Sequence, residues 1–219
     1  KWSFAFPNAL RARSQPTISM GAVFVGSQDG RVYAFDLETG CTKWVFSASA
    51  EVRTGIVLST PSKQASEKNP PLAFFGDLLG RAYAVNALNG KLVWSIRTDD
   101  HPSTTLTGTP AYYQGVLFIP ISSLEVVPAA DPNYNCCSFR GSLLAVNGET
   151  GATIWRHYAI PDKPKIIGKT KLGTDVMAPS GAPIWTSPTV DPKRNLLYVG
   201  TGENYSSPAD GNSDAILAI

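Results

Sequence analysis

Short apolar runs, broken by Gly, Pro, Asp and Asn, recur along the whole chain. Residues 34–44 read AFDLETGCTKW, residues 84–94 AVNALNGKLVW and residues 145–155 AVNGETGATIW. Each stretch has Ala first, Asp or Asn third, Gly seventh and Trp eleventh. Self-similarity of this kind marks a repeat architecture. In each copy an alternating run ends at Ala-x-Asp/Asn. A turn follows, with Gly at a position suited to positive φ, and a second strand then carries the Trp. Another strand lies upstream of each Ala, at Val23–Gly26, Ala73–Gly76 and Val116–Ile119, and again at Leu197–Gly200. Asp29-Gly30 predicts a two-residue hairpin turn in the first copy. Earlier still come Gln15-Pro16-Thr17, Thr109-Pro110-Ala111 and Ser187-Pro188-Thr189, where Pro is tolerated at the start of a strand. Each unit thus reads as four short antiparallel strands, A to D, of the size of a propeller blade. The fold class is all-β, a β-propeller, with the tryptophans predicted as wedges between neighbouring blades. Trp2 reads as the end of an earlier copy and Ala218-Ile219 as the start of a fourth.

Composition narrows the class further. Nineteen Gly and 17 Pro in 219 residues are too many for a helix bundle, and 43% hydrophobic residues are too many for disorder. No apolar run approaches the roughly 18 residues of a membrane-spanning helix. A net charge of +2 without a Lys/Arg cluster gives no footprint for nucleic acid. The three cysteines show no C-x-x-C spacing, which excludes a zinc ribbon and covalently attached haem. The start at Lys1-Trp2 shows no signal peptide, so any targeting segment is expected outside these residues.

Function in repeat proteins tends to lie where the repeat is interrupted. Gly26 to Ala34 and Gly76 to Ala84 are each eight residues apart, whereas Pro120 to Ala145 is twenty-five and Gly200 to Ala218 eighteen. The third and fourth units therefore carry insertions in their B–C loops. One holds Cys136-Cys137 and the other Thr201-Gly202-Glu203-Asn204-Tyr205. Alternating strand direction puts the B–C loops on the same face as the D–A connections, which hold Arg53, Thr107 and Trp185. A ring of such loops could also bind protein.

Taken together, these residues resemble the quinoprotein alcohol dehydrogenases, and most nearly their polyvinyl-alcohol-dehydrogenase-type branch. The 11-residue Ala-to-Trp repeat is similar to that family's tryptophan-docking motif. Residues 135–142 (NCCSFRGS) and 185–205 (WTSPTVDPKRNLLYVGTGENY) resemble its functional loops. The resemblance implies an eight-bladed propeller holding pyrroloquinoline quinone (PQQ) and calcium in a central funnel. The present chain would supply about four blades, truncated at both ends, with residues 1–219 expected to be inactive alone. It implies that Trp185 lies flat under the quinone, that Thr107 hydrogen-bonds a cofactor carboxylate and that Arg53 pairs with another. The fork of an Arg suits that tricarboxylate. Cys136-Cys137 resembles the family's vicinal pair, which packs on the quinone. Here it occupies the loop that supplies a calcium-binding Glu in methanol-dehydrogenase-like members, so it either covers the quinone or stiffens the loop. Glu203, with Asn204 beside it, falls where those members have a calcium-ligating Asn, and both offer the hard oxygen calcium requires.

The activity implied is hydride transfer from a small or polymeric alcohol to calcium-bound PQQ, with cytochrome c or another acceptor taking the electrons, in the periplasm or outside the cell. A vicinal disulfide fits an oxidising compartment. The resemblance puts the Asp general base in later blades, so no catalytic residue is assigned here. The alternative is a non-catalytic propeller of the same repeat family acting as an interaction scaffold. His101 and His157 show no partner spacing.

Overall fold

A computed structural model describes residues 1–59 and 70–219 of the chain. Four antiparallel sheets follow one another along it. The first contains β1 (Thr17–Ser19), β2 (Ala22–Gly26), β3 (Arg31–Asp36) and β4 (Thr42–Ser47), paired in sequence order. The second contains β5 (Val57–Leu58), β6 (Leu72–Gly76), β7 (Arg81–Asn86) and β8 (Leu92–Arg97). A short strand β9 (Thr104–Thr105) precedes the third, which runs through β10 (Ala111–Tyr113), β11 (Val116–Ser123), β12 (Ser142–Asn147) and β13 (Thr153–Tyr158). A separate hairpin, β14 (Lys165–Lys169) and β15 (Asp175–Ala178), comes next. The fourth sheet has β16 (Thr189–Asp191), β17 (Leu196–Gly200) and β18 (Ile216–Ala218). No helix among the described residues is long and apolar enough to cross a membrane.

The core lies between the sheets. Phe24, Val32, Ala34 and Trp44 of the first sheet pack with Ala73, Phe75, Tyr83 and Val85 of the second. Phe74, Ala82, Ala84 and Trp94 in turn meet Leu117, Ile119, Leu144 and Val146 of the third. A sheet flanked on both sides is apolar on both faces, which is why every residue of β6 is buried. The first strands form the inner ring, with β10 approaching both β5 and β16.

The 11-residue motif now has a physical account. Its Ala and Trp are direct cross-strand partners: Ala34 faces Trp44, Ala84 faces Trp94 and Ala145 faces Trp155. Its third residue caps the turn, since Asp36 Oδ1 accepts the Glu38 and Thr39 N–H groups and Asn147 Oδ1 those of Glu149 and Thr150. Its Gly is left-handed, with φ of 73° at Gly40 and Gly90 and 72° at Gly151, a conformation that is costly for any residue with a Cβ. Trp44 and Trp94 each dock on the turn of the next sheet. Nε1–H of Trp44 donates to Ala87 O at 2.9 Å and that of Trp94 to Gly148 O at 2.8 Å. Trp2 does the same to Leu37 O at 3.0 Å, as its reading as an earlier motif's end requires. The ring lies against the turn glycine, where a Cβ would come within 2.8 Å of Trp44 at Gly90 and 2.9 Å of Trp94 at Gly151.

Two local expectations need correction. Asp29-Gly30 is not a two-residue turn. Ser27 N–H bonds Arg31 O, and Gly30, with φ of 80°, closes a three-residue loop, Gln28 to Gly30. A type I turn followed by one left-handed residue suits the strand twist, as a bare type I turn does not. The β14–β15 hairpin was also unforeseen. The connection after Trp155 carries an insertion of its own, which the count of B–C loops does not reach.

Candidate functional site

The D–A connections share one construction. In Val52-Arg53-Thr54, Val52 N–H bonds Ser27 O of the first blade, while Thr54 Oγ1 accepts Gly76 N–H of the second at 3.1 Å. In Ile184-Trp185-Thr186, Ile184 N–H bonds Ile121 O of the third blade, and Thr186 Oγ1 accepts Gly200 N–H of the fourth at 2.9 Å. Leu106-Thr107-Gly108 follows the pattern, with Leu106 N–H on Asp77 O. Here the hydroxyl is replaced by Gly108 because its partner is Pro120, which has no N–H to satisfy. In the triplets at Val52 and Ile184 the outer two residues thus clamp two blades, and in all three the middle residue is left at the crossing. The sequence numbers confirm the register: Thr54, Gly108 and Thr186 each stand three residues before the inner strand begins at Val57, Ala111 and Thr189. Arg53, Thr107 and Trp185 therefore occupy one equivalent position in successive blades.

Their surroundings differ. Arg53 is half-buried and held by Glu51, Nε to Oε1 at 2.8 Å and Nη2 to Oε2 at 3.2 Å. Thr107 Oγ1 lies 3.1 Å from Ser122 Oγ. Trp185 is 43% exposed, unlike the docking tryptophans Trp44 and Trp94 at 8%, and its edge rests on Gly202 at the root of the fourth-blade insertion.

The third-blade insertion is built around a carboxylate that the sequence reading missed. Glu125 is fully buried. Its Oε1 accepts Ser138 N–H at 2.9 Å and the Tyr134 hydroxyl at 3.0 Å, and its Oε2 accepts Phe139 N–H at 2.8 Å. His101 Nε2 stands 3.4 Å from Oε1. His101 Nδ1 accepts Ser103 N–H, so the neutral ring carries its proton on Nε2, facing Glu125 and Ser138. Burial pushes the Glu125 carboxyl up, but the bonds from His101, Ser138 and Phe139 outweigh it and hold it below the usual carboxylate range. Burial, and then the charge of Glu125, push the Tyr134 phenol up to about 12. The sequence signal was there: a lone Glu in the apolar run Leu124-Glu125-Val126-Val127, since a buried charge needs partners.

Cys136 and Cys137 form a disulfide between adjacent residues, directly before the two N–H groups that Glu125 anchors. Cys137 is fully buried. Cys136 O accepts Met177 N–H of β15 at 2.7 Å, and Cys136 Sγ lies 4.0 Å from Tyr205 O. The pair is therefore gripped by the hairpin and the fourth-blade insertion. It borders a cleft of about 230 Å³ that Tyr134, Cys136, Asp175, Tyr205 and Ser206 line. A larger cavity of about 570 Å³ lies elsewhere, beside Trp155 and Asp191. The fourth-blade insertion is tied to the connection that enters its own blade through Ala182 N–H to Glu203 O and Tyr205 N–H to Ser180 O, both within 2.9 Å. Burial, followed by the Glu203 charge, raises the Tyr205 phenol.

A planar tricarboxylate needs a flat apolar surface with cationic and hydroxyl donors around it. The exposed Trp185, Arg53 and Thr107, on one register, fit such a group. Calcium requires six to eight oxygens. Glu203 and Asn204 are partly exposed, and among the described residues their side-chain oxygens take no hydrogen bond. Yet no three His, Cys, Asp or Glu side chains gather among the described residues, and Glu125 is already engaged on both oxygens. The donors here fit part of a calcium shell, not a whole one.

The family model described as outer membrane protein assembly factor BamB (PQQ_2) matches residues 1–131. Over its full length the chain is 36% identical to a polyvinylalcohol dehydrogenase of a Pseudomonas species. Over 92% of its length it is 28% identical to the quinohemoprotein alcohol dehydrogenase ADH-IIG of Pseudomonas putida. It spans about a third of these relatives, 34% of the first and 28% of the second. A europium-containing methanol dehydrogenase structure superposes with a TM-score of 0.70 over 99% of this chain and 41% of its own, at 22% identity. That likeness shows the fold.

Proposed function

The chain belongs to the PQQ-repeat propeller family, with quinoprotein alcohol dehydrogenases among its relatives, and from that premise we propose that it forms one wall of a PQQ site in an alcohol-oxidising dehydrogenase. The observation that carries this reading is the shared register of Arg53, Thr107 and Trp185, with the fourth-blade insertion rooted against Trp185 at Gly202 and meeting the third-blade insertion at Tyr205 and Cys136. In this reading Trp185 offers the face on which the cofactor ring lies. Arg53 and Thr107 bind its carboxylates and fix its orientation. The Glu125-anchored disulfide keeps the third-blade loop rigid beside Tyr205, so the site is organised before the cofactor arrives. Bound PQQ supplies the carbonyl that accepts hydride from the alcohol. Calcium is the metal proposed, with Glu203 and Asn204 giving some of its ligands. Its remaining ligands and the general base are proposed to come from outside the described residues.

The alcohol is proposed as small or polymeric, the latter by likeness to the polyvinylalcohol dehydrogenase, with cytochrome c or another carrier as electron acceptor. The disulfide supports a periplasmic or secreted location. A scaffold role is the second reading, favoured by the description of the matching family model. Its match ends at residue 131, before Cys136, Trp185 and Glu203, so the residues that distinguish the two readings lie beyond it. The full-length protein, supplied with PQQ and calcium, is expected to reduce a redox dye when given an alcohol. Failure with a panel of primary, secondary and polymeric alcohols would favour the scaffold.

A further inference from the structure

The β14–β15 hairpin stands apart from the blades. Its base is tied to the third-blade insertion, where Thr174 Oγ1 donates to Pro132 O at 2.8 Å and Asp175 N–H donates to Asn135 Oδ1 at 3.1 Å. Met177 N–H donates to Cys136 O at 2.7 Å. These bonds hold β15, whereas β14 pairs with β15 alone. Residues 165–173 are all exposed.

The charge of the molecule is concentrated here. Residues 161–175 hold four Lys and two Asp, while the rest of the chain holds 15 basic and 15 acidic residues. The net charge of +2 thus resides in the hairpin. Lys169 pairs with Asp175 at 2.7 Å, but Lys163, Lys165 and Lys171 form no ion pair among the described residues. The expectation of no basic cluster is corrected by this run, whose four lysines fall within nine residues without ever being adjacent. Among them stand Ile166, Ile167 and Leu172, at 61%, 54% and 65% exposure. Large aliphatic side chains gathered on one exposed element mark an interaction surface.

The residue types choose the partner. Protein and single-strand nucleic-acid interfaces draw on aromatic and Arg side chains, and residues 161–175 contain neither. Lysines around exposed aliphatic groups suit a lipid surface, where the ammonium groups meet anionic headgroups and the aliphatic groups enter the interface. We propose that the β14–β15 hairpin docks the protein on an anionic phospholipid surface, through Lys163, Lys165 and Lys171 and with Ile166, Ile167 and Leu172 as its apolar contact. The contact is peripheral and spans nothing. It holds the third-blade insertion beside the membrane, since β15 is bonded to Cys136. The proposal stands on the hairpin alone and does not depend on the PQQ reading.

The test is co-sedimentation of the full-length protein with vesicles of phosphatidylcholine alone, or of phosphatidylcholine and phosphatidylglycerol in equal parts. Wild type is expected to bind the anionic vesicles at least tenfold more tightly than the neutral ones, and to be released by salt. Each lysine removed should weaken binding about fivefold, so the K163Q/K165Q/K171Q variant should lose at least tenfold. The I166S/I167S/L172S variant should also bind more weakly, with the salt dependence kept. K193Q, which removes an exposed lysine of the fourth blade, should bind as wild type does. Thermal melts of the variants should match that of wild type, because every substituted side chain is exposed. Equal binding to both vesicles, no binding by wild type, or binding by the triple lysine variant within twofold of wild type would overturn the proposal.

Discussion

The indole of Trp185 rests on Gly202 so closely that a Cβ on that glycine would lie 2.6 Å from Cζ2 of the ring. This contact joins the inner-strand entry of the fourth blade to the root of its insertion. The G202A variant should tilt or displace the ring. We predict at least a tenfold loss of PQQ affinity in the full-length protein, with a smaller effect on its melting temperature. Calorimetric titration beside a thermal melt measures both.

The docking contacts make a separate prediction about stability. Trp94 gives one hydrogen bond to Gly148 and a flat surface to Gly151. The W94F variant keeps most of the packing and loses the bond, at a cost of about 1 kcal/mol. The G151A variant should cost more, about 2–4 kcal/mol, because it combines overpacking against the ring with a left-handed φ of 72°. Urea unfolding of the two variants should rank them in that order.

Glu125 should make the third-blade loop sensitive to acid. Its carboxyl lies below the usual range in the folded protein. Its contribution is therefore present above the unfolded pKa of about 4.3 and is lost as pH falls through the lower folded value. The E125A variant leaves the Ser138 and Phe139 N–H groups buried without an acceptor, at about 2–4 kcal/mol. Wild type should lose stability in acid more steeply than E125A, and unfolding midpoints between pH 3 and pH 7 would check the difference. Parallel pH profiles would assign the acid sensitivity to other carboxylates.

How far the sequence reached depended on whether a feature repeats. The docking motif was legible because Ala34, Gly40 and Trp44 answer to constraints that recur in every blade: cross-strand fit, a left-handed turn and a flat surface. Strand order followed from the same period. The inner-strand column was only partly legible. Arg53, Thr107 and Trp185 share a position without sharing a side chain, and the clamp that aligns them swaps a hydroxyl for Gly108 where Pro120 removes the donor. The Glu125 cluster was the least visible. It joins His101, Glu125, Tyr134 and Ser138 across two connections and repeats nowhere, so only contacts in space reveal it. The β14–β15 hairpin escaped for a related reason, since its exposed Ile166 and Ile167 give no alternating pattern to read.

Titration of full-length apoprotein with PQQ shows most directly whether one rim of these blades binds the cofactor. Saturable binding of one PQQ per chain is expected, weakened at least tenfold in both W185A and T107V while the fold is retained. Binding that neither substitution alters, or no binding at all, would contradict this reading.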